Sequence, residues 1–283
     1  MKRWSISIPV AVLISLGVIG AGASEGLPST SLLPAEIDPT YAGTLSQILG
    51  SDHFIFHLKP GDTSIEVARY EAFHEWATTY LGVTPAKKID YYKFSSADEM
   101  AAALGRPSRG TAYPPEFAMA SIYPWQNHEC LHLYNSLLSP VPTIRLIEEG
   151  MVVAHEFDPW NDDWVSQWNR REVEEPYIYI DMAIEDRAAG WHVPMESILE
   201  SDGFNEAFAE RGMVIYVQAG TFVRYLIDTF GLEAMKSIFR AVAYDDSREN
   251  ILTAFRASFG VSVADAEAGW QAWLDRLAAE KAE

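Results

Sequence analysis

The sequence predicts an α+β fold, with a mixed β-sheet and helices in the N-terminal half and helices alone in the C-terminal half. Segments with the composition of strands occur only before residue 123, whereas nearly every segment after Pro124 repeats its apolar residues at helical spacing. Residues 158–176 interrupt that spacing and are expected to form a long aromatic and acidic loop. The predicted helical segments are 125–138, 142–157, 204–229, 232–241, 247–258 and 262–281.

Three segments of the N-terminal half are typical of β-strands. Residues 53–58 alternate between inward and outward positions and end at the Pro60-Gly61 turn. Residues 89–94 form a second candidate strand, and residues 110–122 are extended around a Pro114-Pro115 turn. Such short strands, separated by helical segments, favour a small mixed sheet.

Two helices between these strands have clear end signals. Thr63 to Glu66 have the pattern of a capping box, which predicts a helix that ends at Gly82. Ser96 is expected to cap a shorter helix that ends at Gly105.

The N-terminus has the layout of a secretory signal peptide over residues 1–23. Two basic residues precede a 12-residue apolar run, and an Ala-Gly-Ala cleavage site follows it. We therefore expect a secreted or periplasmic protein, with an uncleaved signal anchor as the alternative and the only expected membrane contact. Residues 24–50, rich in Pro, Ser, Gly and Thr, are interpreted as a leader or linker segment, and residues 51–283 as the folded domain.

Charge and cysteine content limit the partners and the covalent chemistry. The formal net charge is −19, and removal of the signal peptide with Lys2 and Arg3 would bring it to about −21. Such a surface argues against nucleic acid or anionic lipid as a partner. Cys130 is the only cysteine, so the chain can form no intramolecular disulfide.

The segment His128-Glu129-Cys130-Leu131-His132 has the spacing of a metal-binding helix. Residues four apart lie on the same helix face, so the imidazoles of His128 and His132 can reach one ion. Glu129 is placed beside that ion, where a carboxylate can take a proton from water. Two histidines on an ordinary helix are the alternative interpretation.

Glu149 is the candidate for a third ligand. It lies 17 positions after His132, on the next predicted helix, and an antiparallel helix pair would bring it back across the histidine face. Two histidines and one glutamate are typical of a catalytic Zn²⁺ site, in which a fourth position stays open. The alternative is that Glu148 and Glu149 belong to a solvated helix face.

These residues together resemble the gluzincins, zinc metallopeptidases whose third ligand is a glutamate on the helix after H-E-x-x-H. The stretch LIEEGMVVAHE is similar to the gluzincin aminopeptidase motif W-L-x-E-G-x-A-x-x-x-E. The resemblance assigns the ligand to Glu149 rather than Glu148, and it places Glu156 among the residues that support the ligands. It also aligns YVQAGTFVRYLIDTFG with a helix that carries a catalytic tyrosine, at Tyr216. Over residues 50–283 it implies a thermolysin-like catalytic domain with a zinc-binding helix pair.

The sequence departs from the family pattern at two places. Phe117 to Ser121, upstream of the zinc motif, lack the G-x-M-E-N strand with which the aminopeptidases bind a free amino terminus. Val153 stands four residues after Glu149, where the thermolysin branch has an aspartate. The first departure argues against aminopeptidase activity, and the second removes the aspartate that supports the ligands in the thermolysin branch.

The expected function is hydrolysis of peptide bonds in a peptide or protein substrate, with Glu129 as general base and Tyr216 as a hydrogen-bond donor to the oxyanion. One alternative is a non-catalytic module that binds zinc or a partner. Another is a zinc hydrolase that acts on a non-peptide bond. The strand around 117–122 is expected either to pair with an extended substrate or to lie inside the sheet.

Overall fold

Five short strands form one mixed sheet in the computed structural model, which describes residues 33–156 and 178–282. Along the sheet the strands follow the order β1-β2-β3-β5-β4. β2 and β3, and β3 and β5, are parallel pairs, whereas β1 and β4 each pair antiparallel with their neighbour. The strands are β1 (Gln47–Gly50), β2 (Phe54–Leu58), β3 (Ile89–Lys93), β4 (Gly110–Tyr113) and β5 (Ala118–Ser121).

Each face of the sheet is covered by its own apolar cluster. Phe54, Phe56 and Met119 point into the larger cluster, which extends through the C-terminal helices. Tyr92 and Ala120, which lie at alternate positions of their strands, belong to a smaller cluster on the opposite face. β3 is buried at all five of its positions, including the charged Asp90 and Lys93, because it lies inside the sheet between β2 and β5.

Helices make up the rest of the described chain, so the α+β prediction is confirmed. None of the helices in the described ranges is long and apolar enough to cross a membrane. The helices are α1 (Pro39–Ala42), α2 (Val67–Leu81), α3 (Ala97–Leu104), α4 (Asn127–Asn135), α5 (Arg145–Glu156), α6 (Ile178–Ala188), α7 (Ser201–Arg211), α8 (Met213–Phe230), α9 (Leu232–Ala241), α10 (Arg248–Phe259) and α11 (Val263–Ala282), with a 3-10 turn at Met195–Ile198.

The helix ends agree with the sequence in part. Gly82 and Gly105 end α2 and α3 in the left-handed conformation, and the Glu99 amide donates to Ser96 Oγ at 3.1 Å, as predicted. The predicted capping box at Thr63 to Glu66 was wrong. α2 begins only after Glu66, and the Glu66 side chain makes no capping hydrogen bond. The predicted helix over 204–229 is two helices, separated at Gly212 where φ is 59°.

The fold begins before residue 51. β1 lies within the segment interpreted as a leader, and Ile37 and Leu45 are buried in the smaller cluster. Residues 33–50 are therefore part of the same compact unit as the rest of the described chain. The predicted signal peptide and the loop predicted over 158–176 lie outside the described residues.

The strand before the zinc motif is internal. β5 pairs with β3 on one side and with β4 on the other, so it cannot accept a substrate strand. β4 is instead the edge strand, and no other described strand pairs with its outer side. The sequence predicts that the residues of β4 and β5 are extended, but the spacing of apolar residues does not indicate which of the two strands lies at the edge of the sheet.

Candidate metal centre

α4 places His128 and His132 one turn apart on the same face. Each of these residues is only 8% exposed, and the opposite face of the helix buries Cys130 and Leu133 in the larger core. Burial raises the pKa of the Cys130 thiol well above its usual range, so this cysteine is an apolar core residue rather than a ligand. The α4 packing thus fixes both imidazoles at the inner end of a cleft.

α5 returns beside α4 and carries Glu149, which is 2% exposed, to the same point. The Nε2 atoms of His128 and His132 lie 3.3 Å apart. Glu149 Oε2 lies 3.4 Å from each of them. The donor atoms of the three side chains therefore form a nearly equilateral triangle. Within the described residues, His128, His132 and Glu149 form a group that could hold a metal ion.

The triangle has the size that a tetrahedral ion requires. Ligands about 2.0–2.1 Å from a zinc ion lie about 3.3–3.4 Å from one another in tetrahedral geometry. Glu149 Oε2 is buried and accepts no hydrogen bond from the described residues. A buried carboxylate oxygen is costly unless a cation meets it, and here the cation is either a protonated imidazole or a metal ion that takes its place, so the donor set and its geometry both fit a bound metal.

Two residues that the sequence analysis did not assign support the ligands. Glu148 Oε1 lies 3.5 Å from His132 Nδ1, on the side of the ring that faces away from the triangle. The guanidinium of Arg145 contacts Glu148 Oε2 at 3.2 Å and Glu149 Oε1 at 2.9 Å. A carboxylate behind a ligating histidine fixes the ring orientation and makes the ring a stronger ligand.

The charges of the cluster are tightly coupled. Burial alone would raise the pKa of Glu149, but His132 and His128 hold it well below its usual range. Burial alone would lower the pKa of His132, but Glu149 and Glu148 raise it to about 10. A metal ion at this position must therefore displace a proton from His132, as is general for histidine ligands.

Glu129 lines the same cleft without taking part in this network. It makes no hydrogen bond or ion pair with the described residues, and it is half-buried. A Cβ atom on Gly110 of β4 would lie 2.8 Å from Glu129 Oε1 and 2.9 Å from its Cγ, so the glycine gives the carboxylate its space. The cleft has a volume of about 330 Å³, and three residues of β4, Gly110 to Ala112, form one wall.

Tyr216 reaches the site from α8. Its ring stacks on Phe208 of α7 at 4.7 Å between centroids and lies 6.2 Å from the His128 ring. Burial and the negative charge of Glu149 raise the pKa of Tyr216 far above its usual value, so the phenol keeps its proton at neutral pH. The structure thus brings His128, His132, Glu149, Glu129 and Tyr216 to one cleft.

Two glycines allow α5 and α8 to cross closely behind the ligand. A Cβ atom on Gly150 would lie 2.5 Å from Val223 Cγ2, and one on Gly220 would lie 2.3 Å from Val153 Cγ1. Gly150 follows Glu149 directly, and Gly220 lies one turn from Tyr216.

Glu156, the residue expected to support the ligands, is the last residue of α5, and its side chain lies outside the described part of the structure. Neighbouring His155 is buried and meets Trp76 and Tyr80 edge-on at 5.6 and 4.8 Å, away from the cleft. The role predicted for Glu156 thus stays a prediction.

No protein-family model matches this chain, and no curated protein or solved structure matches it either. The fold and the donor geometry therefore define the class of site. It is a buried His-His-Glu group in an α+β domain, suited to one metal ion, and beside it lies Glu129, which has no hydrogen bond or ion pair within residues 33–156 and 178–282.

Proposed function

We propose that this protein is an exported zinc-dependent metallopeptidase of the gluzincin type. The proposal rests on the triangle of His128, His132 and Glu149, whose edges are 3.3–3.4 Å, and on Glu129 beside it, whose carboxylate bonds to none of the described residues. A site that bound zinc only for stability would more often be closed by a fourth protein ligand, commonly cysteine.

Zinc is the metal that best suits these ligands. Neutral imidazole nitrogens with a single carboxylate oxygen favour zinc over magnesium or calcium, which prefer sites made of oxygen alone. When bound, the ion would supply Lewis-acid chemistry: it would polarise a carbonyl and lower the pKa of its bound water towards ~7, below the ~9 of water bound to zinc in solution.

Glu129 is suited to move the proton in this reaction. Its carboxylate lies free of hydrogen bonds from the described residues, against the space above Gly110. It would take a proton from the attacking water and pass it to the leaving amine. Neighbouring Glu148 and Glu149 are both occupied by Arg145, which supports Glu129 as the base.

Tyr216 is suited to act as a donor rather than as a base. Its raised pKa keeps the hydroxyl protonated, so it can donate a hydrogen bond to the oxyanion that develops during attack. Loss of one such donor typically costs about 3–4 kcal/mol in the barrier.

The wall of the cleft supports a peptide substrate. β4 has no described strand on its outer side, and its residues Gly110 to Ala112 line the cleft beside Glu129. An extended peptide can add to such an edge through main-chain hydrogen bonds. The signal-peptide pattern over residues 1–23 supports action outside the cytoplasm.

Peptide-library digestion tests the proposal. The purified protein with zinc is incubated with a complex peptide library beside Glu129→Gln, and mass spectrometry identifies the new ends. Glu280→Gln, on the exposed end of α11, serves as the matched control. We expect the wild type and Glu280→Gln to cleave, and Glu129→Gln to hold the same zinc but turn over about 100–10,000-fold more slowly.

Tyr216→Phe is included in the same digestion and is expected to slow cleavage without loss of zinc. Absence of cleavage by a zinc-loaded wild type would rule out a general peptidase. The remaining alternatives would then be a hydrolase of another bond or a binding module without turnover.

A further inference from the structure

Arg145 lies at the start of α5 and contacts both glutamates of the site. Its Nη1 atom is 2.9 Å from Glu149 Oε1 and 3.2 Å from Glu148 Oε2. The backbone amide of Arg145 donates to Ser201 Oγ at 3.3 Å, which fixes the start of the helix against α7. Both ends of this residue are therefore held in place.

The position of Arg145 is unfavourable for a helix taken by itself. The first turn of a helix carries a partial positive charge, so a cation there is disfavoured. Burial of much of the side chain adds a desolvation cost. The contacts with Glu148 and Glu149 offset these costs, which indicates that the arginine is placed for the two carboxylates.

We infer that Arg145 is a positioning residue that holds Glu149 through Oε1, so that Oε2 alone faces the two histidines. This inference rests on the proposed metal site. A carboxylate can bind an ion with one oxygen or with both, and the contact at Oε1 selects the first arrangement. Through Glu148, which lies 3.5 Å from His132 Nδ1, the same guanidinium also steadies one histidine.

Removal of Arg145 is expected to change the metal affinity in the direction opposite to the one that simple electrostatics predicts. A positive charge close to a cation site repels the ion, so its removal alone would make the ion bind more tightly. If Arg145 positions Glu149, its removal makes the ion bind more weakly, because the carboxylate can turn and His132 loses its anchored partner. The direction of the change in affinity therefore separates the two roles.

Cobalt(II) binding to the full chain provides the test, because cobalt(II) is visible in a site that fits zinc. We expect Arg145→Met to weaken cobalt(II) binding by about 10–100-fold. Arg145→Lys, which keeps a cationic donor, is expected to recover most of that loss. The visible absorption band is also expected to weaken in Arg145→Met, since a second Glu149 oxygen would raise the coordination number. Thermal melting of the metal-free proteins checks folding, and if Arg145→Met does not fold, Arg145→Gln takes its place with the same expectation.

Cobalt(II) binding by Arg145→Met as tight as or tighter than wild type would overturn the inference, and so would an unchanged absorption band. Failure of the wild type to bind cobalt(II) would overturn the metal site and the inference together. The readout is independent of peptide cleavage, so a wild type that binds cobalt(II) but cleaves nothing would refute only the proposed peptidase activity.

Discussion

The close crossing of α5 and α8 predicts that a larger residue at Gly220 lowers the free energy of unfolding. Gly220 of α8 faces Val153 of α5, and a Cβ atom at position 220 would lie 2.3 Å from Val153 Cγ1, 2.7 Å from its Cβ and 3.3 Å from its carbonyl carbon. The last two atoms belong to the backbone or are fixed to it. A rotamer change of Val153 cannot relieve these contacts, so Gly220→Ala requires the two helices to separate.

Two opposing effects set the size of the change. An alanine in the interior of a helix is intrinsically more favourable than a glycine by about 1 kcal/mol. Insertion of a methyl group into a well-packed core costs about 1–3 kcal/mol, and the fixed atoms place this site at the upper end. We therefore expect Gly220→Ala to lower the free energy of unfolding by about 2 kcal/mol.

Urea unfolding of the metal-free protein, followed by circular dichroism, measures this difference. Ala272→Gly, at an exposed position of α11, calibrates the helix-propensity effect in the same molecule. A Gly220→Ala variant as stable as the wild type, or more stable, would show that the helices can move apart without cost and would refute the close crossing.

Two further predictions concern the base and an ion pair remote from the site. In Gly110→Ala, the new methyl group would lie 2.6 Å from Gln126 Nε2, 2.8 Å from Glu129 Oε1 and 2.9 Å from Glu129 Cγ, so both side chains must shift. We therefore expect turnover of a peptide substrate to fall about 100-fold with zinc affinity unchanged; equal turnover would contradict the contact with Glu129. Although partial burial raises the pKa of Asp62, hydrogen bonds from Lys93 and Ser64 lower it to about 2 from 3.8. This ionised carboxylate therefore stabilises the fold above about pH 4, and the contribution is lost as the pH falls towards 2. We expect Asp62→Asn to be about 2 kcal/mol less stable at pH 7, with the gap narrowing below pH 4 in urea unfolding; a gap independent of pH would contradict the assignment.

The two histidines of the site were predictable from local rules, and the same rules narrowed the third donor to Glu148 or Glu149. Helical spacing puts His128 and His132 on one face, and a short turn returns the next helix antiparallel to the first. Helical spacing did not decide which of the adjacent glutamates, Glu148 or Glu149, faces the histidines. That choice depends on the rotation of α5 about its axis, which is set by the packing of Gly150 and Val153 against α8.

The supporting residues were not predictable for the same reason. Arg145 and Glu148 act through side-chain contacts between the start of α5 and the back of α4, and neither residue has a spacing that singles it out. The break at Gly212 was equally hidden, because the apolar spacing continues across it while φ is 59°. Likewise β4 and β5 were both visible as extended segments, but only tertiary pairing makes β4 the edge.

The glycine that follows Glu149 has a physical role in the site. Any side chain at Gly150 would meet Val223 Cγ2 and the Ala219 carbonyl oxygen, at 2.5 and 2.9 Å from its Cβ, and would push α8 outward. Tyr216 lies on α8 about one turn before that contact, so the same displacement would carry its hydroxyl away from Glu149. Glu149 on α5 and Tyr216 on α8 can therefore line the same cleft only if the two helices cross at this short distance. The Glu-Gly pair is thus a packing requirement of the proposed chemistry, because it couples the position of the ligand to that of the oxyanion donor.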